Sequence, residues 1–131
     1  MKLSPDEETV AIPIRAREPW NDTQIDMDVG ERYLLTASGR WVDFFIPCSP
    51  YGYLPPLSSI VSLDRLLRHP GGNFFSLISC LDRCHERQFL IGKMTAFNPE
   101  VNGRLFCFAN DVPGFYWNNW GYIALTVKRI G

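Results

Sequence analysis

The sequence of 131 residues predicts an all-β protein, an antiparallel β-sandwich of jelly-roll type. Short apolar or alternating segments with strand spacing recur along most of the chain, bounded by turn-forming residues. Helical spacing appears in only one place. A hydrophobic fraction of 46% supplies material for one core, and the length suits a single domain.

Seven segments have strand patterning: residues 10–16, 24–29, 32–37, 40–46, 88–94, 104–110 and 122–129. The first is expected at a sheet edge, because Pro13 has no N–H to donate. Asn21, Asp22 and Thr23 predict a turn before the second segment. Ser38 and Gly39 predict a tight connection between the third and fourth segments as antiparallel strands.

The segment from residue 47 to residue 73 interrupts this pattern, because Pro, Gly and Ser are frequent in it. We interpret it as a long insertion. Residues 62–68 have apolar positions three and four apart, with Ser62 as a plausible N-cap, and predict one short helix within the insertion. The first nine residues are polar and acidic and predict a loose leader, so the folded domain is expected to span residues 10–131.

The charge pattern excludes some partners. The formal net charge is −1, and the basic residues are scattered, so no basic face for nucleic acid is expected. No apolar run approaches the roughly 20 residues that cross a bilayer, so membrane insertion is not expected. The acidic residues 6–8 replace the apolar core of a signal peptide. A cytoplasmic location is the default expectation, with non-standard export to the cell surface or medium as the alternative.

The four cysteines, at positions 48, 80, 84 and 107, are expected to be thiols. Cys107 lies in an apolar run, where a free cysteine packs as a small hydrophobic residue. Cys80, Cys84 and His85 have the chemistry of zinc ligands, but they lack the second ligand pair that structural zinc sites have. Ordinary packing is the preferred interpretation.

The loop expected between the last two strands has the sequence N-D-V-P-G-F-Y-W-N-N-W-G, residues 110–121. Asp111 offers carboxylate oxygens, Asn118 and Asn119 offer amide oxygens, and the Pro-Gly turn can direct a main-chain carbonyl near Phe115 inward. Calcium prefers this mixture of oxygen donors. The alternative is that the asparagines only permit a left-handed turn and the aromatic residues only pack.

A single carboxylate leaves a divalent cation with a surplus of positive charge. Water or neutral ligand oxygens would fill its remaining positions, and the vicinal hydroxyl groups of a sugar suit this role. Aromatic rings beside the ion could stack on the sugar ring, and the loop offers four: Phe115, Tyr116, Trp117 and Trp120.

The loop closely resembles the calcium loop of the bacterial galactophilic lectins of the PA-IL type, whose pattern is N-D-V-P-G-x-Y-x-N-N-x-G. All nine defined positions match. Residues 20–25, 30–32, 36–41 and 90–94 also resemble segments of that family. The resemblance implies a fold like that of galactose-binding domains, a Ca²⁺ cofactor and assembly into homo-oligomers.

The resemblance also implies the site residues. The metal ligands would be Phe44 and Phe115 through main-chain oxygens, and Asp111, Asn118 and Asn119 through side chains. The residues expected to contact the ligand are Phe44, Asp111, Val112, Phe115, Trp117, Asn118, Pro56 and His69. Pro56 lies near the position of a sugar-binding histidine in the family's His-Pro-x-Gln segment, which this chain lacks. His69 would reach the site if the insertion folds back over it.

These observations predict calcium-dependent binding of a carbohydrate, specifically a galactoside-containing glycan. The alternative is a calcium-stabilised sandwich that contacts a protein through its aromatic-rich insertion and binds no sugar. An enzyme is not expected. His69 and His85 are the only histidines, and no G-x-S-x-G nucleophile motif is present.

Overall fold

The computed structural model describes residues 1–54 and 64–131, which contain ten strands in two antiparallel sheets. The strands are β1 (Ile12–Arg15), β2 (Asn21–Met27), β3 (Tyr33–Ser38), β4 (Trp41–Asp43), β5 (Ile46–Cys48), β6 (Leu77–Leu81), β7 (Gln88–Leu90), β8 (Met94–Phe97), β9 (Gly103–Ala109) and β10 (Asn119–Arg129). The predicted all-β class with antiparallel sheets is confirmed. The same described ranges contain no helix long and apolar enough to span a membrane.

The first sheet is organised around β10. Strands β3 and β4 pair with it in one continuous register, from Tyr33 opposite Arg129 to Asp43 opposite Asn119. The predicted tight connection at Ser38 and Gly39 is therefore wrong, because β3 and β4 do not pair with each other but follow one another along β10. Gly39 has a φ of 98° and marks a bend within one long extended segment. Strand β1 pairs with β10, β5 with β4, and β8 with β3.

The second sheet has the order β2-β9-β6-β7. The predicted turn over residues 21–23 is wrong, since these residues begin β2. The register between β2 and β9 shifts between Asp22 and Asp26, and Gln24 in this bulge has a φ of 63°. Turn-forming residues here serve a β-bulge. Strand β6 was not predicted, because all five of its residues are buried and no polar alternation marks it.

The main core lies between the two sheets and contains inward-facing side chains of both, including Ile14, Leu35, Leu77 and Leu125. Trp41 is fully buried there, and its Nε1 donates to the main-chain oxygen of Phe75 at 3.0 Å. This bond secures the start of β4, which leads directly into the candidate site. The four cysteines are free thiols.

Arg68, in the described end of the insertion, lies on the other face of the second sheet. The described part of the insertion includes a single 3₁₀ turn, Asp64–Leu66, so the short helix predicted over residues 62–68 is not supported. Residues 55–63, including Pro56 and Ser62, lie outside the described residues. After this turn, the Arg68 guanidinium lies over the Phe108 ring, 3.5 Å from its centroid. The Arg68 N–H donates to the main-chain oxygen of Asp111, so the insertion contacts the candidate loop.

The first nine residues, expected to form a loose leader, lie against the sandwich. Leu3 is buried in the core, with 2% of its surface exposed. Lys2 pairs with Asp26 of β2, and Glu8 pairs with Lys128 of β10. The segment contacts both sheets, and Leu3 is its buried apolar anchor.

Candidate metal and ligand site

The loop that joins β9 to β10 begins with a buried structural clamp at Asn110. Its Oδ1 accepts from the His69 N–H at 2.9 Å. Its Nδ2 donates to the main-chain oxygens of His69 and Asn73 at 3.0 and 3.1 Å. Asn110 therefore fixes the insertion to the start of the loop.

The predicted turn at Pro113 and Gly114 is present. The Phe115 N–H donates to the main-chain oxygen of Val112 at 3.1 Å, and Gly114 has a φ of 90°. A 3₁₀ turn, Tyr116–Asn118, follows. Tyr116 is buried, and its hydroxyl donates to the main-chain oxygen of Ala109. This anchor folds the loop back toward the end of β9 and brings its two polar ends together.

Asp111 and Asn119 meet at this point. Asp111 is only 7% exposed, and its Oδ2 accepts from Asn119 Nδ2 at 3.0 Å. Its Oδ1 accepts from the Val112 N–H at 2.7 Å. Burial raises the pKa of Asp111 to about 6, and these two hydrogen bonds offset only part of the shift. The buried carboxylate is therefore short of compensating positive charge.

The side-chain oxygens of Asn118 and Asn119 are buried and have no hydrogen-bond partner among the described residues. Leaving one such oxygen unsatisfied costs about 1–3 kcal/mol. Two of them on consecutive residues, beside an uncompensated carboxylate, form a set of oxygen donors that fits a hard cation such as Ca²⁺.

Phe44 lies at the edge of this donor set. It has a φ of 58° in the turn between β4 and β5, and its N–H donates to the main-chain oxygen of Asn118 at 3.2 Å. Its own carbonyl accepts from Trp120 Nε1 at 2.8 Å. A carbonyl has a second lone pair, so this bond leaves Phe44 able to bind a cation. Phe115 lies in the same loop, immediately before the 3₁₀ turn.

Sequence reasoning missed a second carboxylate, that of Asp43. Asp43 lies directly opposite Asn119 in the sheet, and Tyr53 donates its hydroxyl to Asp43 Oδ2 at 2.5 Å. Burial raises the pKa of Asp43, and its charge adds to the rise in the pKa of Asp111. Its place next to Phe44 was the available signal.

Three further residues were predicted to contact the ligand: Val112, His69 and Pro56. Of the two that the structure describes, Val112 and His69, neither has a side-chain hydrogen bond to the donor set. Val112 contributes main-chain groups to the turn, as described above. The ring of His69 contacts Gln88, with Nδ1 and Oε1 3.0 Å apart, so the described contacts of this ring are with β7. Pro56 lies outside the described residues.

Five aromatic side chains around the donor set have half or more of their surface exposed: Phe44, Phe45, Phe115, Trp117 and Trp120. Tyr116, proposed from the sequence as a stacking residue, is instead buried.

The residues 1–54 and 64–131 contain no group of three or more His, Cys, Asp or Glu side chains that could hold a metal ion. A cation at the loop would therefore depend on amide and main-chain oxygens beside Asp111. This requirement favours calcium over zinc or copper, which prefer imidazole and thiolate ligands.

The chain matches no protein-family model, and no curated protein matches it in sequence. Among solved structures, it is similar to the N-terminal domain of EclA, described as a PllA-like lectin. The TM-score is 0.69 with 19% sequence identity, and the match covers 93% of this chain and 97% of that domain. At this identity the likeness shows the fold alone: the two sheets described above are arranged as in that domain.

Proposed function

We propose that this protein binds saccharides in a calcium-dependent manner at the loop between β9 and β10. The observation that carries the proposal is the pair of buried, unpartnered amide oxygens of Asn118 and Asn119 beside the buried carboxylate of Asp111. The lectin fold supports carbohydrate binding as the class of function.

In this proposal, Asp111, Asn118 and Asn119 hold the ion through side-chain oxygens, and Phe44 and Phe115 hold it through main-chain oxygens. Bound calcium would supply a positive centre that attracts sugar hydroxyl groups. Asp111 has to lose its proton for this role, and its pKa of about 6 makes it ionised at neutral pH. Asp43 adds a second negative charge nearby.

The exposed aromatic residues give the site its second property. A sugar ring has an apolar C–H face and polar edges, so one aromatic ring can cover the face while the hydroxyl groups meet the ion. Phe115 is 52% exposed and is available for such a contact. Galactosides are the specific ligands that we propose, on the basis of the sequence resemblance in the loop.

Isothermal titration calorimetry tests this function. Galactosides and a panel of other glycans are titrated in calcium and again after chelation with EGTA. We expect binding in calcium and its loss in EGTA, and the variant Asp111→Asn should bind no sugar under either condition. Absence of binding to any glycan at millimolar concentration in calcium would refute the proposal.

A second candidate function is a protein-interaction module that keeps the ion for stability alone. The five exposed aromatic side chains favour it, because such residues are enriched at protein interfaces. Calcium would then raise the melting temperature while no glycan on the panel binds.

We also propose that the protein forms homo-oligomers, because several weak sugar sites on one assembly gain affinity through multivalency. Light scattering of the purified protein in calcium tests this, and a monomer at micromolar concentration would contradict it.

A further inference from the structure

A groove opens directly beside the candidate metal site. Its lining residues are Arg17, Phe44, Trp117, Asn118 and Trp120. Two of them, Phe44 and Asn118, are also proposed metal ligands, so the groove continues outward from the candidate metal site. Its volume of about 350 Å³ lies at the lower end of the range for ligand pockets, roughly 300–1,000 Å³.

Hydrogen bonds support both walls of the groove, at the Trp120 ring and at the main chain of Trp117. Trp120 Nε1 donates to the Phe44 carbonyl at 2.8 Å, which holds the indole against the turn between β4 and β5. On the other wall, Arg17 Nη2 donates to the main-chain oxygen of Trp117 at 2.9 Å, although these residues are 100 positions apart in the chain. The rings nevertheless stay open to solvent, with 67% of Trp117 and 60% of Trp120 exposed.

The chemistry of the lining favours a saccharide. Two indoles offer apolar faces, and Arg17, the only charged lining residue, has further N–H groups for hydroxyl oxygens. A neutral, hydroxyl-rich ring with one apolar face satisfies both. One cation in the lining is too few for a nucleic-acid backbone.

We propose that this groove binds the second residue of an oligosaccharide whose first residue contacts the ion. This inference rests on the proposed function and extends it from a single-sugar site to an extended one. The protein should therefore prefer disaccharides to the matching monosaccharide, with Trp117 as a specificity-determining residue.

The test compares methyl galactopyranoside with the disaccharides lactose and melibiose, titrated in calcium against the wild-type protein, Trp117→Ala and Phe45→Ala. Phe45 is the matched control because it is an exposed aromatic residue, 73% exposed, near the site but not in the groove lining. If an indole covers about 50 Å² of the second sugar, Trp117→Ala should weaken binding of the preferred disaccharide about tenfold. Monosaccharide affinity should change less than about twofold.

The rise in melting temperature caused by calcium, measured without sugar, should be the same in the three proteins. This readout shows that each variant is folded and keeps the ion.

The possible failures are distinguishable. If the wild-type protein binds neither monosaccharide nor disaccharide, the proposed function and this inference both fail. Equal wild-type affinity for the monosaccharide and both disaccharides, or a disaccharide affinity that Trp117→Ala leaves unchanged, overturns the inference and leaves the function standing. If Trp117→Ala instead changes the mass in light scattering without changing sugar affinity, the groove is a self-association surface and the inference is wrong.

Discussion

The two ends of one loop use the same side chain in opposite ways. Asn110 and Asn119 are both fully buried. The amide of Asn110 makes three hydrogen bonds through its oxygen and nitrogen, whereas the oxygen of Asn119 has no partner among the described residues. Both ends of the Asn110 amide serve the fold, whereas in Asn119 only the nitrogen does, through its bonds to Asp111 and Ala16, and the oxygen is left for a cation. Burial alone therefore does not separate a structural polar residue from a functional one, but the hydrogen-bond partners do.

The largest expected effect is on calcium affinity and comes from Asp111, the carboxylate beside Asn119. Asp111→Asn keeps the size of the side chain and removes its charge. Because no other ligand in the proposed set is charged, calcium affinity should fall by roughly a hundredfold or more. Calorimetric titration with calcium measures this effect, and an affinity within threefold of wild type would contradict the assignment.

A matched pair of variants tests the comparison itself. Asn110→Ala removes three hydrogen bonds in a buried place and should lower the free energy of unfolding by about 2–4 kcal/mol in EGTA. Asn119→Ala removes two hydrogen bonds of Nδ2, to Asp111 and to the main-chain oxygen of Ala16, together with an oxygen that has no partner among the described residues. It should therefore cost less stability than Asn110→Ala in EGTA but weaken calcium binding. Urea unfolding with and without calcium measures both. If both variants lower the free energy of unfolding equally, with and without calcium, the distinction between a structural Asn110 and a metal-binding Asn119 is wrong.

The pKa of Asp111 predicts a pH dependence of calcium binding. The ion has to displace a proton below about pH 6, so calcium affinity should be roughly tenfold weaker at pH 5 than at pH 7.5. In the calcium-free protein the sign is opposite. Folding raises the pKa of this carboxyl from 3.8 to about 6. Its contribution to the free energy of unfolding is therefore fully present below pH 3.8 and is lost as the pH rises through about 6.

Melting temperatures at pH 5 and pH 7.5, each with calcium and with EGTA, measure this dependence. The rise caused by calcium should be larger at pH 7.5. A rise of the same size at both values would show that Asp111 does not titrate with the ion.

The smallest expected effect is at Asp43. Asp43→Asn removes a nearby negative charge that attracts the ion, but it also removes a cause of the raised pKa of Asp111. At pH 6 the lost attraction weakens calcium binding while the lower pKa of Asp111 strengthens it, so the two effects partly cancel. At pH 8, where Asp111 is ionised in either case, calcium affinity should fall about threefold. Glu100→Gln, at an exposed acid outside the site, is the control and should leave the affinity unchanged.

Much of the fold could be predicted because strands with one solvent-facing side alternate in sequence. The last strand shows this pattern clearly, with Ile123, Leu125 and Val127 buried. Strand β6 could not be predicted in this way, because its residues are buried on both sides: Ile78 and Cys80 form a second small core with Phe108, against which Trp20 packs. The turn formers of β2 were misread because a bulge and a turn use the same residue types.

The loop of the candidate site was predictable because its donors are close in the sequence. Asp43 was not, since it joins the site through the pairing of β4 with β10, and Tyr53 joins it only through its hydrogen bond to Asp43. Trp120 was predicted as a stacking residue. Its bond to the Phe44 carbonyl depends on the register between β4 and β10, and no local pattern reveals that register.

The most direct test of the central claim is a crystal structure of the protein grown in calcium, with anomalous diffraction to identify the ion. The account predicts an anomalous peak about 2.3–2.6 Å from Asp111 and from the side-chain oxygens of Asn118 and Asn119. Water molecules in hydrogen bonds to those oxygens, with no anomalous peak at saturating calcium, would contradict it.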